Sequence, residues 1–347
     1  MAKTLFQTIT LNPSLTLSNK IVMAPLTRCF ADKNLVPTAQ MAEYYRKRAD
    51  LGLIVSEATL IDPIAQGYPN TPGIYSKAQI KGWKQVTKAV HEQGGKIFCQ
   101  LWHCGRVAHS CYTDQQPVAP SAQCWHGKVP RTQDKEYEMP RSLSTKEVKR
   151  TIKKYVKAAK NAMKAGFDGV EIHGANGYLV DQFLRQETNK RDDKFGGSPR
   201  KRTRFALQIV DGISKAIGAD KTAIRLSPQA YVHLNYRKGD EKTYKRLLKQ
   251  LNKRTLCYVH LGAFSDHYTF EYLAGQKASE FIRKYYKGSF VSCGGYTAET
   301  ANKAIEENKA DLIAIGRPII ANPDYLNKAK KGEEMQEYSQ EMLTTLI

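Results

Sequence analysis

The stretch GVEIHGANGYLVDQFL, residues 169 to 184, holds the pattern that decides the fold. An apolar run ends at His173, a turn of small residues carries Asn176 and Tyr178, and a helix-like segment follows. Hydrophobicity in the run is continuous rather than alternating, as suits a strand buried on both faces. Seven further runs repeat the theme: IVMAP (21–25), LIVSEA (53–58), KIFCQLW (96–102), TAIRLS (222–227), LCYVHL (256–261), FVSCGG (290–295) and DLIAIG (311–316). Helical periodicity between them predicts helices near 38–49, 79–93, 145–165, 200–217, 241–254, 277–286 and 298–308. Eight such units predict an α/β fold, a single (β/α)8 TIM barrel spanning 1–347 as one domain. The first ten to twenty residues are expected to form a hairpin under the barrel floor. The long connections 103–144 and 262–276 are expected to pass over the carboxyl-end face.

With 41% hydrophobic and 25% charged residues, the composition supplies a large core and excludes a wholly disordered chain. No apolar run approaches the roughly 18 residues of a membrane span, and the amino terminus lacks a signal core, so a cytoplasmic protein without a membrane partner is expected. Seven scattered cysteines show no metal-binding spacing, and reduced thiols with no metal are expected. The net charge of +21 gathers in KKYVKAAKNAMK (153–164), RKRTR (200–204) and KAKKG (328–332). Lysines at helical spacing without interleaved aromatics read as solvated helix faces, so nucleic acid is not expected as a partner.

Barrel active sites grow from the carboxyl ends of strands. Those ends carry Thr27, Glu57, Gln100, Trp102, His103, His173, Arg225, Gly294, Gly295, Gly316 and Arg317. Glycines after strands seven and eight, with Arg317, suit a phosphate. Gln100 matches a ring edge that alternates N–H and carbonyl, and Arg225 would stabilise negative charge on a reduced flavin, unless Glu57 is its ion-pair partner. If a helix starts directly after strand four, His173 and Asn176 face the same way and can donate to one developing oxyanion. Tyr178 is then a candidate acid. A core histidine, a capping asparagine and a packed tyrosine are the ordinary alternatives.

The motifs IVMAPLTR (21–28), SEAT (56–59), QGYPNTPGIYS (66–76), GGKIFCQLWHCGR (94–106), QPVAPSA (116–122), DGVEIHGANGYLVDQFL (168–184), IRLSP (224–228), CGGYTAE (293–299) and IGRPIIANPD (315–324) occur in order. Together they resemble the old yellow enzyme family from about residue 5 to 327, most closely its bacterial N-ethylmaleimide and pentaerythritol tetranitrate reductase branch. The resemblance implies an FMN-dependent, NAD(P)H-oxidising reductase of enones, maleimides, nitroalkenes and nitro compounds, as a monomer or homodimer. It places Pro25, Leu26 and Thr27 along the flavin, Ala58, Gln100 and Arg225 on its ring, and Gly294, Gly295, Gly316 and Arg317 on its phosphate. It makes His173 and Asn176 the binders of the substrate oxygen, Tyr178 the proton donor, and Tyr68 and Trp102 the walls of the substrate pocket. Ile319, Ile320, Phe195 and the tail EMLTTLI depart from the family pattern, which puts tail contacts to substrate in question. A basic non-catalytic flavin binder and an RNA-acting flavin reductase are the rival readings.

Overall fold

The computed structural model describes residues 4–347. Eight parallel strands close the barrel of its central sheet: β1 (Ile21–Met23), β2 (Leu53–Val55), β3 (Ile97–Trp102), β4 (Gly169–Gly174), β5 (Thr222–Leu226), β6 (Tyr258–Leu261), β7 (Phe290–Cys293) and β8 (Leu312–Ile315), and the short segment Thr59–Leu60 pairs alongside β3. Each of the eight pairs with its sequence neighbour, and β8 pairs with β1 through Ile313 and Ile21, closing the barrel. All eight expected strands are present. Their residues are buried throughout, the physical reason their sequences read as unbroken apolar runs.

Helices cover the outside: α1 (Ala39–Arg46), α2 (Lys77–His91), α3 (Thr145–Lys164), α4 (Arg204–Ile217), α5 (Asp240–Leu251), α6 (Ala278–Tyr285), α7 (Ala298–Glu306) and α8 (Tyr325–Lys331). Capping boxes start several of them, among them Ser76 with Gln79 on α2, Ser144 with Glu147 on α3 and Thr297 with Thr300 on α7. The helix expected over 200–217 is two pieces, a turn at Pro199–Arg202 and then α4. Helix α8, and the short helices Leu179–Leu184 and Arg317–Ala321, lie outside the helices expected from periodicity.

The amino-terminal hairpin is present: Ile9–Asn12 pairs antiparallel with Leu15–Leu17. Leu15 and Leu17 pack with Val22, Leu53, Phe98 and Tyr258 in the barrel interior, so the hairpin plugs the floor. At the other end, Val129 and Tyr137 of the 103–144 excursion pack with Trp102 and Tyr178. Mouth chemistry is thereby enclosed by loops while the strands below stay dry.

Candidate active site

Strand register fixes a layer of inward polar side chains. Arg225 on β5 stands level with His173 on β4 and His260 on β6, and Gln100 on β3 stands level with Glu171 on β4. Gln100 Nε2 donates to Glu171 Oε1 at 2.7 Å, and the other carboxylate oxygen lies 2.8 Å from His260 Nδ1. Burial pushes the Glu171 carboxyl up, but His260, Arg225 and Gln100 together hold it below its ordinary value. An anion here counterbalances the cation on β5, and it orients the Gln100 amide by occupying one N–H.

Glu57 is not the partner of Arg225. Its carboxylate accepts from the backbone N–H groups of Arg28 and Cys29, each at 3.2 Å. Among the described residues Arg225 forms no ion pair; its Nε is buried without a partner, and Nη2 reaches only the Cys293 thiol at 3.9 Å. Such an arginine calls for an anionic or hydrogen-bonding ligand. It lines a cavity of about 1110 Å³ together with Pro25, Leu26, Gly295, Gly316 and Arg317. Arg317 also lacks a carboxylate partner among the described residues, its guanidinium lying 4.1 Å from the centre of the Phe264 ring. Gly316 leaves its wall open, with the nearest side-chain atom 3.5 Å from where a Cβ would stand. These residues fit a flavin mononucleotide: glycine amides and Arg317 for the phosphate, Arg225 and Gln100 for the ring edge. Gly294 stands behind this wall, where its φ of +138° and its carbonyl, bound by Asp266 N–H at 2.9 Å, set the turn after β7.

The other half of the mouth is aromatic. The Tyr178 ring stands edge-on to Trp102 and to His173, with ring centroids 4.9 Å away in both cases, and its hydroxyl lies 3.1 Å from that of Tyr68. Ala58 packs in the same cluster. Thr27 lies half-buried at the end of the β1 segment, next to Leu26 on the cavity wall. Burial, reinforced by Arg225 and His260, holds the His173 imidazole well below its ordinary pKa, and burial raises the Tyr178 phenol well above its own. Both stay neutral, and both remain donors, at physiological pH.

One expectation needs correction. His173 and Asn176 do not share a helix face: His173 belongs to β4, Asn176 has φ +61°, and the helix begins only at Leu179. Asn176 is turned into the mouth by its left-handed backbone and by the Ser227 hydroxyl, which accepts its N–H at 3.0 Å. Gly262 lets the chain pass closely: a Cβ there would fall 3.1 Å from Asn176 Oδ1 and 3.6 Å from Arg225 Nε. His103 is structural, its buried Nδ1 accepting from Gly105 N–H at 3.0 Å. Two residues escaped the sequence reading. The Tyr231 hydroxyl donates to Asn176 Oδ1 at 2.7 Å, and His233 Nε2 lies 3.3 Å from the Tyr137 hydroxyl. Their signal was an aromatic and a histidine in the 227–239 connection at a strand's carboxyl end.

Burial lifts the Glu57 carboxyl from 4.5 to about 7. A raised folded-state value means stability that is complete below the unfolded pKa and is lost as pH rises through the folded one, here up to about 3 kcal/mol. Glu57→Gln should therefore flatten the decline in Tm between about pH 5 and about pH 8. A decline as steep as wild type would place its origin elsewhere.

A cavity with Arg317 and glycines at one end and Arg225 at its wall, both arginines without a carboxylate partner among the described residues, offers what a flavin-dependent barrel oxidoreductase requires of its chain. The profile of the NADH:flavin oxidoreductase / NADH oxidase family matches residues 4–336, and the chain belongs to this family, the old yellow enzymes. A putative 12-oxophytodienoate reductase-like protein 1 of Arabidopsis thaliana is 42% identical over 89% of this chain and 94% of its own. A probable flavin mononucleotide-dependent alkene reductase of Leishmania infantum is 37% identical over 91% and 87%. The crystal structure of an old yellow enzyme homologue from Zymomonas mobilis superposes with a TM-score of 0.91 at 39% identity, covering 98% of this chain and 96% of that one. The protein is an NAD(P)H-dependent flavin oxidoreductase with FMN as its cofactor.

Proposed function

We propose that the enzyme reduces the C=C bond of alkenes activated by a carbonyl or nitro group. One observation carries this reading: Tyr231 occupies Asn176 Oδ1 at 2.7 Å, leaving the Asn176 amide N–H groups free to donate beside neutral His173 and Tyr178. FMN, when bound, accepts hydride from NAD(P)H and supplies it to the alkene. His173 and Asn176 take the substrate oxygen, polarising the double bond where charge accumulates in the transition state. Tyr178 gives its proton to the α carbon, the alkene carbon bonded to the activating carbonyl or nitro group, while the hydride goes to the β carbon, and the Tyr68 hydroxyl at 3.1 Å stabilises the phenolate left behind. Trp102 and Tyr68 would hold the alkene, and Ala58, Gln100 and Arg225 would hold the cofactor ring. Support comes from the names of the relatives, one a reductase of an oxo-dienoate, the other of alkenes. Motif likeness to the bacterial branch adds maleimides and nitro compounds to the acceptors worth assaying.

The site should bind phenolates as mimics of the developing oxyanion. Titrating holoenzyme with a simple phenol should raise a long-wavelength charge-transfer band, and His173→Ala should weaken that binding about 10-fold to 100-fold, the loss of one charge-assisted hydrogen bond. Because His173 is neutral, its ionisation should contribute no step to the affinity between about pH 6 and about pH 8. Unchanged affinity in the variant would remove His173 from the oxygen site.

A further inference from the structure

The net charge of +21 plays no part in the chemistry above, and its placement on the surface is not random. On α3, Lys146, Lys149, Lys153, Lys157, Lys160 and Lys164 are all exposed, at spacings of three and four. At about 100° per residue they fall within an arc of about 80° and run about 27 Å along one edge. The neighbouring helix α2 repeats the device with exposed Lys77, Lys81, Lys84 and Lys88. The two helices are fastened side by side: the Thr87 hydroxyl donates to Ala165 O at 2.6 Å, and Asn161 Nδ2 donates to Ile74 O at 2.8 Å. Of these ten lysines only Lys88 meets a carboxylate, exposed Glu92 at 3.6 Å, among the described residues. The nearby acids are spent on other cations, Glu147 on Arg141 and Arg150, and Asp62 on Lys154.

Like charges three and four apart on a helix destabilise it, so a fold-stabilising surface would alternate signs. This one does not, and among the described residues the chain supplies a counter-charge to Lys88 alone. Packed neighbouring helices stand about 10 Å apart, so lysines on flexible stems from both rows can reach toward one surface laid against them, within a Debye length of it. Beside the rows stands a single arginine of α3, Arg150, which shares Glu147 with Arg141; the rows themselves are lysine point charges without aromatic platforms, which removes the usual means of stacking on single strands. A duplex curves away from such a plate, whereas a bilayer follows it. The exposed large hydrophobics, Met139, Val232, Phe264, Tyr268 and Ile347, are all outside α2 and α3, so nothing there inserts into the hydrocarbon.

We infer that the α2–α3 face docks on the surface of an anionic lipid bilayer by charge alone, reversibly and with the barrel intact. Vesicle co-sedimentation of the FMN-loaded protein tests it, using phosphatidylcholine vesicles with and without about 30% phosphatidylserine, in about 0.05 to 0.5 M salt. Binding is expected only with phosphatidylserine and should fade as salt rises. Lys149→Gln, Lys153→Gln, Lys157→Gln and Lys160→Gln together should weaken it about 100-fold or more. The same four-charge change at exposed Lys242, Lys245 and Lys249 of α5 and Lys253 just beyond it should leave most of the binding. Retained flavin absorbance and Tm establish that both variants are folded. Equal losses in the two variants would reduce the effect to net charge and overturn the docking face. So would wild-type protein that ignores the vesicles, or that binds a DNA duplex but not lipid at the same salt.

Discussion

Tyr178→Phe should leave flavin reduction by NAD(P)H at its wild-type rate and slow reoxidation by an enone about 100-fold to 10,000-fold, the usual worth of a positioned acid. The ring packs edge-on to Trp102 and His173 at 4.9 Å through carbon atoms that phenylalanine keeps, so the pocket survives and only the proton is lost. Stopped-flow measurement of the two half-reactions separates these effects. Equal slowing of both would mean that Tyr178 shapes the cavity rather than donates. A normal rate of reoxidation would hand the proton to another group, with Tyr68, 3.1 Å away, the first to examine.

Gly294→Ala should cost the protein its cofactor. At φ +138° an L side chain is strained whatever the space, and there is no space: the new Cβ would sit 2.5 Å from the backbone nitrogen of Asp266. Strain of about 1 to 3 kcal/mol, together with displacement of the Asp266 N–H bond to Gly294 O, should lower Tm and yield protein purified largely without flavin. Gly316→Ala provides the contrast. Its Cβ meets only side chains, the Leu26 Cδ2 at 3.5 Å and the Ala24 Cβ at 3.8 Å, so Tm should hold while FMN affinity falls because the cavity wall has thickened. Full flavin content in Gly294→Ala would show that the turn after β7 can relax and that the phosphate is held elsewhere.

Strands were legible because burial on both faces leaves a signature of composition, and the barrel rule then pointed to the residues at their carboxyl ends as candidates. Loop geometry left no such signature. Asn176 enters the mouth through a left-handed backbone, and Tyr231 reaches it from a connection in which Val232 and His233 also have positive φ, at 50° and 55°. No periodicity encodes those angles. The alternative that Glu57 pairs with Arg225 could not be decided from sequence for a related reason: the donors to Glu57 are backbone, and main-chain N–H groups are invisible to a search for complementary side chains. The departures in the tail gain a physical meaning only in three dimensions. Arg28 donates to the carbonyls of Met342 and Thr345, and Arg48 to that of Ile347, so this segment is tied to the base of α1 and to the strand-one loop that carries Thr27.

The aromatic side of the mouth has a seam that matters for inheritance. Tyr68, Trp102, His173 and Tyr178 come from the first four units, and the proposed phosphate corner, Gly295, Gly316 and Arg317, comes from the last two. A natural place to splice two relatives would be between β4 and β5. Yet Tyr231 holds Asn176, and Arg106 donates to the carbonyl of His233 at 2.6 Å, so the connection after β5 belongs with the first half. A crossover beyond Gly239, rather than at the midpoint of the barrel, keeps those partners together and would pass on acceptor preference as one heritable block, with the phosphate corner left to the other parent.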